Sequence, residues 1–142
     1  NLVPPYETRE TGLHGVSAAL EFAVCVLGVK HIVVMGHSHC AGIQTLMTPE
    51  KLGNSDFIGQ WVNVAEPARE KTLANHPHAD AEALCHHCEQ ESVLLSLQNL
   101  LTFPWVKSRA DAGDLKLHGW YFSLETGKLE GYDPAKSQFV TL

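Results

Sequence analysis

From Val16 to Leu27 almost every position is apolar: Val16, Ala18, Ala19, Leu20, Phe22, Ala23, Val24, Val26 and Leu27. On a helix these residues surround the axis nearly completely, and a helix apolar on all sides is expected to be buried on all sides. The pattern predicts a first helix from about Leu13 or Val16 to Leu27, with Gly28 at the C-terminal cap. Ile32-Val33-Val34-Met35 follows at once as a short, β-branched, uninterrupted run. That is the signature of a central strand of a parallel sheet, covered on both faces. Before these elements, Pro4-Pro5 excludes a helix interior and predicts that residues 1–11 are extended or loop.

After the strand, Gly36 begins a tight turn and Cys40–Met47 reads as a short helix. Pro49, Gly53 and Asn54 predict a loop. Asp56 is placed to cap a helix carrying Phe57, Trp61, Val64, Ala65 and Ala68 at helical spacing, with Pro67 bending or shortening it. A break at Asn75–His78 precedes a long helix, roughly Asp80–Leu101, whose stripe holds Leu84, Cys88, Val93, Leu95, Leu97, Leu100 and Leu101. Pro104 stops it, and Ala110–Asp114 reads as a polar turn. Leu115–Phe122 and Leu129–Tyr132 then alternate as two strands around a turn at Glu125-Thr126-Gly127-Lys128. Helix, strand, Gly turn and helix in this order define an α/β fold: a mostly parallel central sheet flanked by helices, with a C-terminal hairpin or edge strand. Ligands in such folds gather beyond the carboxyl ends of the strands, and the turn after Met35 lies there.

Bulk properties narrow the function. The 142 residues make one domain's worth of chain, 44% apolar, with a net charge of -6. That charge argues against nucleic-acid binding, which needs a basic face. No window approaches the ~20 consecutive apolar residues of a membrane span. Four cysteines (Cys25, Cys40, Cys85 and Cys88) in a chain this well supplied with core fit a reducing compartment, the cytoplasm or another, better than a disulfide scaffold. Cys25, within the first helix, reads as a small buried hydrophobe. Asn1 in place of Met, with Pro4-Pro5 close behind, predicts that the sequence starts within the fold, the N-terminal part being absent.

The chemistry concentrates at His37 and Cys40, three residues apart on the turn after the strand. Imidazole plus thiolate suits Zn²⁺, and a helix N-terminus favours the thiolate form. The alternative is a cysteine tucked into the turn with His37 exposed. Cys85-His86-His87-Cys88 offers a second set, in which Cys85 and Cys88 share a helix face and His76 or His78 would complete a peripheral site. With no flanking Gly knuckle and a place inside a long helical pattern, it reads first as one or both thiols facing the core with His86 and His87 in solvent. Ser38 and His39 are adjacent, a poor geometry for a nucleophile and its base. Trp61, Trp105 and Trp120 read as core or interface aromatics.

Several segments, in order, resemble the β-class carbonic anhydrases: Val3-Pro4-Pro5-Tyr6, Ser17–Val24, Gly36-His37-Ser38-His39-Cys40-Ala41-Gly42, Glu91-Ser92-Val93, Asn99-Leu100, Pro104-Trp105-Val106 and Leu117–Phe122. The resemblance implies that residues 1–142 form a single, N-terminally incomplete domain of that fold. It implies reversible hydration of CO₂ to bicarbonate and a proton, by attack of a zinc-bound hydroxide on CO₂ in an apolar cleft. His37 and Cys40 match two of three zinc ligands, and Phe22 and Ala41 match positions lining the substrate pocket. Family members are dimers or higher oligomers, so a homodimer or tetramer is implied.

The family's further zinc cysteine and its Asp–Arg pair lie in a Cys-x-Asp-x-Arg motif that occurs nowhere in residues 1–142. An upstream piece or a separate N-terminal fragment would have to supply them, and the isolated chain is expected to be inactive. His39 stands where many members have Asp, and Ala41 where they usually have Gly. His39 is a candidate proton shuttle, since imidazole titrates in the useful range. A non-catalytic assembly subunit of the same fold is the alternative function.

Overall fold

The computed structural model describes residues 2–7, 14–51 and 55–142. The loop expected at Gly53 and Asn54 and the helix start at Leu13 lie outside them. A four-stranded mixed sheet runs in the order β1 (His31–His37), β2 (Lys116–Phe122), β3 (Leu129–Asp133), β4 (Gln138–Thr141). β1 and β2 are parallel, and β2/β3 and β3/β4 are antiparallel. The helices are α1 (Gly15–Glu21), α2 (Ala41–Met47), α3 (Ile58–Val62), α4 (Glu66–Asn75), α5 (Ala81–Leu100) and α6 (Pro104–Asp111). The expected hairpin is present, with Gly127 left-handed at φ 67° in its turn. Strand β4 and helix α6 were not anticipated. Pro104 does end the long helix, yet its fixed φ also starts the next one at the first turn.

Helix α5 is the middle layer. Asp80 caps it, its carboxylate accepting from Ala83 N–H at 2.9 Å. One side packs on β1 and β2, joining Val93 and Leu100 to Val24, Val34, Phe103, Val106 and Leu115. The other side places Cys88 among Ile43, Leu46, Val62 and Ala65 of the α2–α4 layer. Ser92 and Ser96 are also buried, whereas Leu101, expected in the stripe, is exposed. Residues 2–6 lie along α5, tied by its polar side chains. Val3 N–H donates to Ser96 Oγ (3.1 Å), Asn99 Nδ2 donates to Val3 O (2.7 Å), and Tyr6 N–H donates to Thr102 Oγ1 (2.8 Å). Alternation along this extended segment sends Leu2 into the α2–α4 cluster and Val3 into the sheet cluster.

Three expectations require correction. The first helix is not buried on all sides. No residue of Gly15–Glu21 is buried, and Phe22, Cys25, Val26 and Leu27 are exposed. It is also not one α-helix, because Phe22–Val26 is a π-helical turn closed by Leu27 N–H donating to Phe22 O at 3.0 Å. Gly28, at φ 65°, then ends it as expected. Arg109 of α6 binds the two carbonyls flanking that end, Nη1 to Val24 O at 2.8 Å and Nη2 to Val29 O at 3.0 Å.

Strand β1 is likewise not covered on both faces. It is an edge of the described sheet, and while Val34 is buried against α5, Val33 and Met35 on the opposite face are 42% and 51% exposed. A continuous apolar run cannot tell the sequence reader which faces are covered. Finally, Asp56 caps nothing. Ser55 Oγ accepts from Gly59 N–H (3.1 Å), Phe57 is exposed, and Pro67 marks the start of α4 rather than a bend. Trp61 is exposed, while Trp105 and Trp120 are half-buried.

Gly119 of β2 sets the distance between sheet and helix. A β-carbon there would stand 2.9 Å from Leu97 Cδ1 and 3.1 Å from Val93 Cγ1. Gly119→Val is therefore expected to destabilise the fold by about 1–3 kcal/mol through overpacking, read as a lower midpoint in chemical denaturation.

Candidate metal centre

The turn was expected to begin at Gly36, but β1 continues through Gly36 and His37, paired with Tyr121 and Phe122 of β2. The turn from Ser38 to Cys40 leaves the carboxyl end of β1, where it is held from several directions. Ser38 N–H continues the ladder by donating to Phe122 O (3.0 Å), and buried Ser38 Oγ accepts from Leu124 N–H (2.8 Å). His39 adopts the left-handed conformation, φ 56°, which non-glycine residues rarely take. Its ring Nε2 meets Glu125 Oε1 at 2.8 Å. Ser38 and His39 thus point to different partners, and no nucleophile–base pair forms.

His37 is half-buried at the last position of β1. Its Nδ1 lies 2.9 Å from Ser38 O. A carbonyl only accepts, so Nδ1 carries the proton and the neutral ring keeps its Nε2 lone pair for another partner. This is the outer-sphere arrangement that prepares a histidine to bind a metal. Cys40, also half-buried, is the N-cap residue of α2 and packs beside Ile43, Leu46 and Val62. Nitrogen and sulfur donors of this kind suit Zn²⁺. Among the described residues no group of three His, Cys, Asp or Glu side chains converges to hold a metal.

A residue that pattern reading missed lies beneath this turn. Glu89 of α5, 3% exposed, accepts from Cys40 N–H at Oε1 (2.8 Å) and from the Tyr121 hydroxyl at Oε2 (2.6 Å). Burial, then Glu89, pushes the Tyr121 hydroxyl well above the usual phenol range, so it stays protonated. His86 Nδ1 reaches the same hydroxyl at 3.0 Å. The only sequence signal was a charged residue on the face that also carries Ser92 and Ser96.

The second candidate set does not assemble. Cys88 is fully buried, and burial pushes its thiol up to about 12, far from the thiolate a metal needs. His76 stacks face to face on His87 instead, ring centroids 3.8 Å apart. Burial and then these neighbouring histidines lower the pKa of His87. Cys25, expected inside, is exposed. Two open cavities adjoin the turn. One, of about 560 Å³, includes His76, His86, His87 and Tyr121 in its walls. The other, of about 570 Å³, includes Ser38, His39, Cys85, His86 and Glu89. Phe22 and Ala41, both exposed, line neither of them.

A family model described as carbonic anhydrase matches residues 1–129. The solved β-carbonic anhydrase CcaA superposes with a TM-score of 0.91 at 34% identity, covering 99% of this chain and 68% of that one. This chain belongs to the β-class carbonic anhydrase family. Beta carbonic anhydrase 5, chloroplastic, of Arabidopsis thaliana is 45% identical over 124 residues, which are 87% of this chain and 40% of the relative. Carbonic anhydrase of Synechocystis sp. is 35% identical over 141 residues, 99% of this chain and 50% of its own length. The chain therefore spans about half the length of the curated relatives it matches. Membership of the β-class agrees with the α/β architecture.

Two solution measurements follow from the electrostatics. The hydrogen bond to Glu125, then its charge, raises the His39 pKa above its ordinary 6.5. A raised pKa means that the pair stabilises the fold fully below pH 6.5 and loses that contribution as pH climbs through the raised value. Glu125→Gln is expected to return the His39 midpoint toward 6.5, followed by NMR titration. Alkylation with iodoacetamide at about pH 8, read by mass spectrometry, is expected to modify exposed Cys25 quickly and to leave Cys88 intact in the folded protein.

Proposed function

We propose that this chain supplies part of the site of a zinc-dependent carbonic anhydrase, which interconverts CO₂ and water with bicarbonate and a proton. The observation that carries the reading is the His37 ring. Its Nδ1 proton is committed to Ser38 O, which frees Nε2 as a donor three residues before Cys40 in a chain of this family. His37 and Cys40 would hold Zn²⁺. Bound zinc supplies the Lewis acidity that lets water act as a nucleophile near neutral pH.

The chain's own residues have separable tasks. Phe22 and Ala41, exposed in this chain alone, would line the apolar cleft that admits CO₂ once the parts from outside residues 1–142 are in place. His39, exposed and bonded to Glu125, passes the released proton toward solvent, since imidazole takes up and releases protons near neutrality. The further cysteine ligand and an Asp–Arg pair come from outside residues 1–142, from an upstream segment or a separate chain, and these 142 residues alone are inactive. They fold as a single domain. The protein works as a homodimer or tetramer in a reducing compartment, the cytoplasm or an organelle. Exposed Val33 and Met35 on the uncovered face of β1 are consistent with such packing. Among the described residues no helix is long and apolar enough to cross a membrane.

A non-catalytic assembly subunit is the second reading. It is favoured by one observation, that fewer than three metal donors converge among the described residues. Zinc analysis and stopped-flow CO₂ hydration of the full-length protein separate the two. On the catalytic reading, His37→Ala and Cys40→Ser each lose zinc and lower kcat/KM by more than about 100-fold, beyond the 10- to 100-fold typical of outer-sphere changes. Metal-free, inactive wild type that still self-associates establishes the second reading.

A further inference from the structure

We propose that Glu89 is a positioning residue for the metal-ligand turn, fixing the backbone of Cys40 through a directed chain of hydrogen bonds that starts at His86. The inference rests on the reading that Cys40 ligates a metal. Its physical basis is the burial of a carboxylate at 3% exposure in the middle layer of the fold. Burying such a group is costly unless it is fully partnered, and an apolar side chain would pack as well or better. The partners of Glu89 are a backbone amide and a phenol rather than a cation. That amide belongs to Cys40.

With Glu89 as a carboxylate, which only accepts, each bond takes one polarity. Cys40 N–H can only donate, so Oε1 accepts. The Tyr121 hydroxyl gives its single proton to Oε2, at 2.6 Å. Its oxygen is then left to accept from His86 Nδ1, at 3.0 Å, so neutral His86 carries its proton on Nδ1. The rings of His86 and Tyr121 meet edge to face, 5.3 Å apart, which holds this geometry. At the other end, no side chain of the turn caps α2. With His39 left-handed immediately before it, the peptide leading into Cys40 takes its orientation from Glu89. That peptide plane sets where the cysteine side chain leaves the backbone.

The test uses the full-length protein with cobalt replacing zinc, because the thiolate-to-cobalt charge-transfer band includes the bond from Cys40 beside that from the further cysteine, and its intensity drops when Cys40 is replaced by Ser. Glu89→Ala is expected to shift this band and to speed metal release to a chelator by about 10- to 100-fold, the usual range for an outer-sphere partner. Glu89→Gln is expected to rescue the band, since its amide oxygen still accepts from Cys40 N–H. Its NH₂ group must then face Tyr121, turning the Tyr121 proton toward His86. Neutral His86 is expected to switch from the Nδ1–H to the Nε2–H tautomer, seen in its ¹⁵N shifts.

A folded Glu89→Ala protein with unchanged band and release rate overturns the proposal. Should that variant fail to fold, the tautomer decides, and His86 protonated on Nε2 in the wild type, or unmoved in Glu89→Gln, overturns it. A wild type without the band, or a band of unchanged intensity in Cys40→Ser, is a different failure, because it removes the metal reading and the positioning role together.

Discussion

The close seat of α5 on the sheet governs the rest of the molecule. Gly119 leaves no room for a side chain between β2 and the helix, and Val93 fills that space. A helix pressed against a sheet on one side and against α2–α4 on the other has little surface left for water. Its polar side chains must therefore find partners inside the protein. Ser96 and Asn99 do so by holding the extended residues 2–6, and Glu89 does so by holding Cys40. The same packing that makes the core thus turns buried polarity into tethers for irregular backbone.

The turn after β1 shows why such tethers matter. Ser38 to Cys40 must leave a strand, pass through a left-handed position and start a helix. A short loop held only by its own contacts would sample several shapes, each at a cost in entropy when one shape is selected. Here β2 holds Ser38, the hairpin loop holds both Ser38 and His39, and α5 holds Cys40. Rigid elements thereby transmit their own order to the backbone between His37 and Cys40.

Much of this was legible in the residues. The β-branched run before Gly36 and the glycines at helix and hairpin ends each have a local physical cause, and each located its feature. The α/β class followed from them, and the family from the resemblance of ordered segments. What failed depended on neighbours. Complete apolarity around Val16–Leu27 predicts burial only if something covers every side, and here Phe22, Val26 and Leu27 face outward. Whether Val33 and Met35 are covered is also decided by what packs on the sheet. Glu89 was invisible for the converse reason, since a glutamate on a helix reads as solvent-facing until Tyr121 and Cys40 arrive from distant segments.

Arg109 reaches from α6 across to the end of the first helix, and one planar guanidinium there binds carbonyls on either side of Gly28. The π-turn that carries Phe22 cannot rewind into ordinary α-helix without shifting Val24 and breaking that grip. Helix α6, some eighty residues later in sequence, therefore acts as a latch on the helical phase of Phe22 (about 100° per residue). Loss of Arg109, in the last turn of α6, would release Val24 O and Val29 O together and so reach the π-turn that begins at Phe22.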